Sequence, residues 1–216
     1  MATGPGLSIA IAEKRFPGTA TPLLADFHLD IAPGSVVALH GPSGIGKSTL
    51  LRLIAGIDRS FAGTITIEGV PAHQAPPPGF VFQDARLLPW LTARDNVRVA
   101  DPAMSHETAD AALACVGLAD AANAWPHALS GGMQRRVALA RALATNARLL
   151  LLDEPFVSLD RDLVADMHRL VAGIIETSRP TIILASHDTA DAARLATRVI
   201  TLEGRPARIA TPSPTR

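Results

Sequence analysis

The sequence predicts an α/β fold built on a mixed, mainly parallel β-sheet, and three observations support this prediction. A glycine-rich loop at residues 41–49 lies between a short β-branched stretch and a stretch of helical character. Four consecutive leucines at 149–152 are typical of a strand buried on both faces, as the central strands of parallel sheets are. A second apolar strand is predicted at 181–185. The 216 residues suffice for one such domain with a small subdomain.

The bulk composition limits the classes of partner. Lys+Arg and Asp+Glu both number 20, so no basic field favours nucleic acid as a partner. The single Cys115 cannot form an internal disulfide, which is typical of a reducing cytoplasm. No secretion signal is expected at the N-terminus, and no apolar stretch approaches the roughly 18 residues that span a bilayer. Any membrane role is therefore expected to come through a partner.

An antiparallel β layer is predicted from the N-terminal third of the chain. Alternating apolar residues indicate strands at 7–12 and 23–31, and a further strand at 63–69 is predicted to join them. Phe16 lies in the connection between the first two strands. An aromatic ring there can stack on an adenine or can cap the small core, and the sequence leaves both interpretations open.

The glycine-rich loop has the pattern G-x-x-x-x-G-K-[ST], which binds phosphate. A strand is predicted at 35–40 before it, and a helix at 48–55 after it. Glycines let backbone N–H groups converge on an anion, and the helix N-terminus adds partial positive charge. Lys47 would reach the β- and γ-phosphates of a nucleotide, and the Ser48 hydroxyl would ligate Mg²⁺. The predicted nucleotide-binding residues of the loop are Gly41, Pro42, Ser43, Gly44, Ile45, Gly46, Lys47, Ser48 and Thr49.

A short buried strand is predicted at 79–82, and it ends at Gln83. Ligands of α/β folds bind in the crevice at such strand ends. The Gln83 amide oxygen can coordinate Mg²⁺ or the attacking water, or it can simply face solvent. The connector that follows is apolar, and most of its large side chains are expected to pack a helical subdomain rather than face a partner. These side chains are Leu87, Leu88, Trp90 and Leu91.

A helical insert is predicted next. Thr92 is the expected N-cap of a helix at 93–99, and residues 105–124 have helical character with a break at Gly117. A longer helix follows Ser130, Gly131 and Gly132 and runs to residue 144. Its N-terminus can hold phosphate, although an ordinary helix cap would also explain the pattern.

Two carboxylates follow the leucine run directly. Because side chains alternate along a strand, Asp153 and Glu154 are expected to point in different directions and to take different roles. Asp153 suits a water-mediated contact to Mg²⁺, and Glu154 suits a general base that polarises the attacking water. The plain alternative is a pair of solvated acids at a strand end.

The last third continues the α/β alternation. An amphipathic helix is predicted at 161–177, and the strand at 181–185 leads to His187, which can donate to a γ-phosphate or serve a structural role. A helix at 189–197 and a closing hairpin at 199–202 and 207–209 are also predicted.

Taken together, these residues resemble the ATP-binding subunits of ABC transporters over residues 7–210. The signature motif separates this family from kinases and GTPases, which share the phosphate loop. The matching motifs, in chain order, are Walker A (41–49), the Q-loop residue Gln83, the signature (129–133), Walker B (149–154), the D-loop (158–160) and the switch residue His187.

The resemblance implies a P-loop NTPase core with an antiparallel β layer and an α-helical subdomain. One domain would span residues 1–216, with its core at about 1–83 and 148–210 and its helical subdomain at about 84–147. ATP and Mg²⁺ are the implied cofactors. The implied catalytic residues are Glu154, His187 and Gln83. The implied metal ligands are Ser48, Gln83 and Asp153. The nucleotide-binding set gains Phe16, Ser130, Gly131, Gly132 and Asp160.

The resemblance also implies partners. In the family, the signature of one subunit covers the ATP held by Walker A of the other, so a second ATPase subunit, in a homodimer, is expected. The helical insert and the Gln83 connector would grip an integral membrane permease, and a substrate-binding protein would act indirectly. The chain would then lie at the cytoplasmic face of the inner membrane as a peripheral protein.

Three positions depart from the family pattern without removing a catalytic group. Met133 stands where the signature commonly has Gln, Ser158 stands where the D-loop usually has Ala, and Phe16 stands where an adenine-stacking Tyr is common. Residues 81–90 and 204–207 are similar to the nitrate/sulfonate/taurine importer ATPases. The alternative is a non-transport ABC-type ATPase that acts as a nucleotide-driven switch. Such relatives usually carry two cassettes or long insertions, and this chain has neither.

Overall fold

The structure is a computed structural model that describes residues 3–145, 147–157, 161–187 and 194–210, with the side chains of 161–163 left out. The predicted helix at 189–197 falls largely outside these residues, as do Ser158 and Asp160. The strands are β1 Leu7–Lys14, β2 Leu24–Ile31, β3 Val36–His40, β4 Ala62–Ile67, β5 Val70–Pro71, β6 Gly79–Val81, β7 Leu149–Asp153, β8 Thr181–Ser186, β9 Arg198–Glu203 and β10 Arg208–Ile209. The helices are α1 Lys47–Ile54, α2 Ala93–Arg98, α3 His106–Cys115, α4 Gly131–Ala144 and α5 Arg161–Ser178.

The predicted antiparallel layer is confirmed. Four strands form one sheet in the order β2-β1-β4-β5, with β1 antiparallel to both β2 and β4. Leu7 lies opposite Ile31 on one side and Ile67 on the other, so the apolar faces of the three strands coincide. These side chains are buried in one core cluster together with the apolar face of α1.

The main sheet has six strands in the order β10-β9-β3-β8-β7-β6. All its pairs are parallel except β10 with β9, which form the predicted hairpin. Every residue of β7 and β8 is buried, as expected for strands covered on both faces. Because β3, β7 and β8 run in one direction, the segments after His40, Asp153 and Ser186 emerge at the same edge of the sheet.

The predicted cap Thr92 is confirmed, and Ser105 and Ser130 cap their helices in the same way. The side chains of Thr92, Ser105 and Ser130 each accept a hydrogen bond from the backbone N–H three residues ahead. Each such cap contributes about 1 kcal/mol to helix stability. Helices α2, α3 and α4 share a buried cluster with the face of the main sheet opposite α1.

In the connector after Gln83, Leu87 follows the prediction and Trp90 does not. Leu87 packs against the helical cluster, but the side chain of Trp90 is 67% exposed. The buried amide of Asn96 explains this difference: its Oδ1 accepts from the Leu88 N–H, and its Nδ2 donates to three backbone carbonyls of residues 88–92. The connector is therefore held by its backbone, and the indole does not need to be buried.

Candidate functional site

The phosphate-binding loop wraps around the Lys47 side chain. Lys47 is only 4% exposed, and its Nζ donates to the carbonyls of Gly41 at 2.7 Å and Pro42 at 3.2 Å. Gly46 has a φ of 117°, and a Cβ there would lie 3.2 Å from Leu23, so backbone conformation and space both favour glycine. The loop thus presents the first turn of α1 together with a buried ammonium.

Ser48 and Asp153 connect this loop to the end of β7. The Ser48 hydroxyl donates to Oδ1 of Asp153 at 2.8 Å. Asp153 is 1% exposed, and burial raises the pKa of its carboxyl, although the hydrogen bond from Ser48 and the charges of Arg52 and Lys47 act in the opposite direction. A hydroxyl and a buried carboxylate that meet in this way are hard oxygen donors of the kind that Mg²⁺ prefers.

The carboxylates of Asp153 and Glu154 have different partners, and strand alternation is not the cause. Glu154 has left β7 and has a φ of 49°, a left-handed conformation that is uncommon for a non-glycine residue. Its Oε1 lies 3.7 Å from Lys47 Nζ, and its Oε2 lies 3.7 Å from His187 Nδ1. Its backbone N–H donates to the carbonyl of Ala185 at the end of β8.

Lys47, Ser48 and Glu154 line a cavity of about 330 Å³, within the size range of small-molecule sites. Asp153 and His187 contact these residues but are not in the lining. The lining includes Phe16 and Gln83, which approach from segments distant in sequence. Its members are Phe16, Leu23, Ser43, Gly44, Gly46, Lys47, Ser48, Thr49, Gln83 and Glu154. Of the predicted loop residues, Gly41, Pro42 and Ile45 are not in this lining: the first two accept from Lys47, and Ile45 packs in the core.

The signature residues lie elsewhere on the chain. None of residues 130–132 is among the described residues that line the phosphate-loop cavity. Gly131 and Gly132 instead border a second, polar cleft with the Gln83 connector. A Cβ at Gly131 would meet no atom within 4 Å, so the start of α4 is open to an approaching molecule. The predicted Asp160 lies outside the described residues.

The sequence analysis missed one residue of the cavity and one residue that holds the Gln83 connector. Leu23 lines the cavity because β2 begins against Gly46, a contact that no local pattern signals. Arg141 donates to the carbonyls of Ala85 and Arg86 at 2.9 and 3.1 Å, and burial lowers the pKa of its guanidinium. An arginine within the otherwise apolar run of α4 was the available signal.

The fold and the site together define a nucleotide-binding protein of the phosphate-loop class. A family model described as "ABC transporter" matches residues 24–157, which is more than half of the chain. The chain belongs to the ABC transporter family.

Curated relatives and solved structures agree with this assignment. An aliphatic sulfonates import ATP-binding protein, SsuB 1, of Xanthomonas axonopodis is 43% identical over 95% of this chain and 84% of its own length. The SsuB protein of Ralstonia nicotianae is 46% identical over 98% of this chain and 75% of its own length. The ATP-binding cassette MJ0796, solved as a dimer in a post-hydrolysis state with ADP and Pi, superposes with a TM-score of 0.84. It is 30% identical, and the match covers 95% of this chain and 97% of that one.

The predicted fold class, family and ATPase activity are thereby confirmed: the chain is an ATP-binding, ATP-hydrolysing member of the family. Within the described segments, no helix is both long and apolar enough to cross a bilayer. The same segments contain no cluster of three His, Cys, Asp or Glu side chains suited to a metal. Mg²⁺ sites built on nucleotide phosphates use only one or two protein carboxylates, so the Ser48 and Asp153 pair remains a suitable site.

Proposed function

We propose that this chain is the ATP-hydrolysing subunit of an importer for aliphatic sulfonates. The observation that carries the catalytic part is the convergence of Lys47, Ser48, Asp153, Glu154 and His187 at one edge of the main sheet. The names of the relatives, which are sulfonate import ATP-binding proteins, support the transport part.

The loop residues 41–49 bind the ATP phosphates in this proposal. Lys47 exchanges its bonds to the loop carbonyls for the β- and γ-phosphates, and Phe16 stacks on the adenine at the cavity mouth. Ser48, Asp153 and Gln83 would hold Mg²⁺. When bound, Mg²⁺ supplies a positive charge that neutralises the charge developing on the phosphates.

Glu154 is the proposed general base. Its carboxylate accepts a proton from the water that attacks the γ-phosphorus, while the bond to the leaving ADP oxygen breaks. The left-handed backbone at Glu154 and the contacts on both of its oxygens support a fixed orientation for this step. His187, which is half-exposed beside it, donates to the γ-phosphate, and Gln83 orients the water.

The complete site requires a second copy of the chain. Ser130, Gly131 and Gly132 of one subunit cover the γ-phosphate held by the other, and Asp160 of the D-loop contributes at the same interface. The open start of α4, and the lack of residues 130–132 among the described residues that line the phosphate-loop cavity of the same chain, support this arrangement. The dimeric MJ0796 structures are consistent with it.

The helical subdomain, at about residues 84–147, is the proposed contact to the membrane permease, and residues 1–83 with 148–210 form the core. Trp90, Trp125 and Val99 expose apolar side chains on this part of the chain, with exposures of 67%, 45% and 46%. Large exposed side chains of this kind suit a protein interface. The chain then lies at the cytoplasmic face of the membrane as a peripheral subunit, and a separate substrate-binding protein delivers the solute.

Reconstitution tests this proposal. The chain is purified with an aliphatic-sulfonate permease and binding protein from its own organism and placed in vesicles. ATP-dependent uptake of a labelled alkanesulfonate is then compared with uptake of nitrate and taurine, with Glu154→Gln as the inactive control. ATP hydrolysis without uptake of any of the three solutes would reject the importer assignment. Uptake of nitrate alone would reject the sulfonate assignment, and uptake of taurine alone would narrow it to amino-substituted sulfonates.

A further inference from the structure

The chain uses lysine at only two positions, since 18 of its 20 basic residues are arginines. Both lysines are buried: Lys47 in the phosphate-binding loop is 4% exposed, and Lys14 at the end of β1 is 2% exposed. Burying an ammonium is costly unless hydrogen bonds compensate for the lost water. Lys14 has no role in the proposed chemistry, so its contacts must explain its position.

Two oxygen atoms anchor the Lys14 ammonium. Its Nζ donates to Oδ2 of Asp58 at 2.6 Å and to the carbonyl of Ser60 at 2.8 Å. The Asp58 backbone N–H donates in turn to the carbonyl of Arg52 in the last turn of α1. Lys14 thus ties the end of β1 to the segment that closes the helix of the phosphate-binding loop.

The surroundings of the Asp58 carboxyl favour its ionised form. Burial alone would raise the pKa of its carboxyl, but the hydrogen bonds from Lys14 and from the Ser60 N–H outweigh burial, and the pKa is lowered. The ammonium therefore has a carboxylate partner across the neutral pH range.

The same ammonium lies over the Phe16 ring, 5.0 Å from its centroid, within the range of a cation–π contact. Phe16 is 43% exposed at the mouth of the nucleotide cavity. Its carbonyl accepts from both the N–H and the hydroxyl of Thr19, and Gly18 has a φ of 79°, which together form a tight turn. The turn places the Phe16 backbone, and Lys14 contacts the ring from the protein side.

We propose that Lys14 is a positioning residue that holds the Phe16 ring in place for stacking on the nucleobase. This inference rests on the proposed function, in which Phe16 contacts the base of ATP. Lys14 itself does not touch ATP. Because Asp58 and Ser60 fix the position of the Lys14 ammonium, its attraction for the Phe16 ring favours one orientation of that ring. Binding of the base should depend on Lys14, and binding of the phosphates should not.

Binding calorimetry with two ligands tests this inference. The ligands are Mg²⁺–ATP and Mg²⁺–tripolyphosphate, which lacks the base and the ribose. Lys14→Met keeps most of the apolar stem and should raise the Kd for ATP about three- to tenfold, the range of a partly buried cation–π contact. The Kd for tripolyphosphate should not change. In a Phe16→Ala background, Lys14→Met should have no further effect on the ATP affinity.

An equal loss of affinity for both ligands would overturn the inference. A further loss of ATP affinity on adding Lys14→Met to the Phe16→Ala background would also overturn it. An unchanged ATP affinity in Lys14→Met would do the same. Arg169→Met is the matched control, because Arg169 is an exposed cation on α5 that is paired with Asp166, and it should alter neither affinity. If Lys14→Met folds poorly, the pair Lys14→Met with Asp58→Asn removes both charges together and allows the same comparison.

Lys47→Ala separates this inference from the proposed function. That variant should weaken both ligands, since it removes a charged donor to the phosphates. If Lys47→Ala has no effect, the proposed phosphate site itself fails. If Lys47→Ala acts as expected and Lys14→Met does not, only the role of Lys14 fails.

Discussion

The hydroxyl of Ser48 donates a 2.8 Å hydrogen bond to Oδ1 of Asp153, joining residues that lie 105 positions apart. This contact links the helix after the phosphate-binding loop to the end of β7. It directs two oxygen donors to one point beside the buried Lys47 ammonium. The cost of this arrangement is a carboxylate in a buried position, where its charged form is disfavoured.

Asp153→Asn should therefore stabilise the protein when Mg²⁺ and nucleotide are absent. Burial raises the pKa of Asp153, so the folded state binds a proton there more readily than the unfolded chain. Protonation of Asp153 therefore contributes to the free energy of unfolding of wild type. This contribution is fully present below the ordinary Asp pKa of about 3.9, and it is lost as pH rises through the raised pKa of the folded state. The free energy of unfolding of Asp153→Asn minus that of wild type should rise across this window and then level off. Urea denaturation of both proteins from pH 4 to 8 measures the difference.

The metal arm of this experiment uses ADP with and without Mg²⁺. A ligand that binds only the folded state raises the free energy of unfolding by an amount that grows with the logarithm of its concentration divided by its Kd. Mg²⁺ should increase the stabilisation by ADP in wild type, and this increase should be lost in Asp153→Asn. Equal effects of Mg²⁺ on the two proteins would remove Asp153 from the metal site.

Glu154→Gln should lower the ATPase rate by roughly 10²- to 10⁴-fold, the usual contribution of a general base. ATP-dependent dimerisation, measured by light scattering, should persist because the amide keeps the size and shape of the side chain. Glu176→Gln, at an exposed position of α5, is the control and should leave the rate unchanged. A turnover in Glu154→Gln within a factor of about three of wild type would exclude general-base catalysis at this residue.

Much of the fold could be predicted because its determinants are local. The buried strands β7 and β8 are indicated by apolar runs, and the start of α2 is indicated by its cap Thr92. The edge where β3, β7 and β8 end then follows from parallel topology.

The contacts that could not be predicted are those set by packing between distant segments. Lys14 meets Asp58 across 44 positions, with no pattern in either segment to signal the pair. The left-handed Glu154 and the exposed Trp90 likewise depend on hydrogen bonds to the Ala185 carbonyl and to the Asn96 amide. Propensity and periodicity do not contain such information, since each contact requires the completed tertiary structure.

Lys47→Ala should weaken ATP binding by about 10- to 100-fold, as expected for loss of a hydrogen bond from a charged donor. The loop should also lose order, because Lys47 bonds the carbonyls of Gly41 and Pro42. Fluorescence titration with a labelled ATP analogue measures the affinity. Arg148→Ala, which removes an exposed cation paired with Glu68, should not change it. Undiminished affinity in Lys47→Ala would refute the phosphate-binding role of the loop.

Gly131→Glu should abolish ATP-dependent dimerisation without unfolding the monomer. Gly131 is the first residue of α4, it is exposed, and a Cβ there would meet no atom within 4 Å. A carboxylate in the first turn is also favourable for the helix dipole, so the thermal midpoint should stay within about 2 °C of wild type. At the proposed interface, however, the new charge would face the partner's γ-phosphate and repel it.

Gly173→Glu is the matched control, because Gly173 is likewise an exposed helical glycine with open space around its Cβ. It introduces the same charge on α5, so both variants have the same net charge but differ in where that charge lies. Light scattering with ATP, in the Glu154→Gln background that slows hydrolysis, should show dimers for Gly173→Glu and monomers for Gly131→Glu. Dimers in both variants would mean that the start of α4 does not meet the partner's nucleotide. Monomers in both would mean that added negative charge, rather than its position at α4, prevents association.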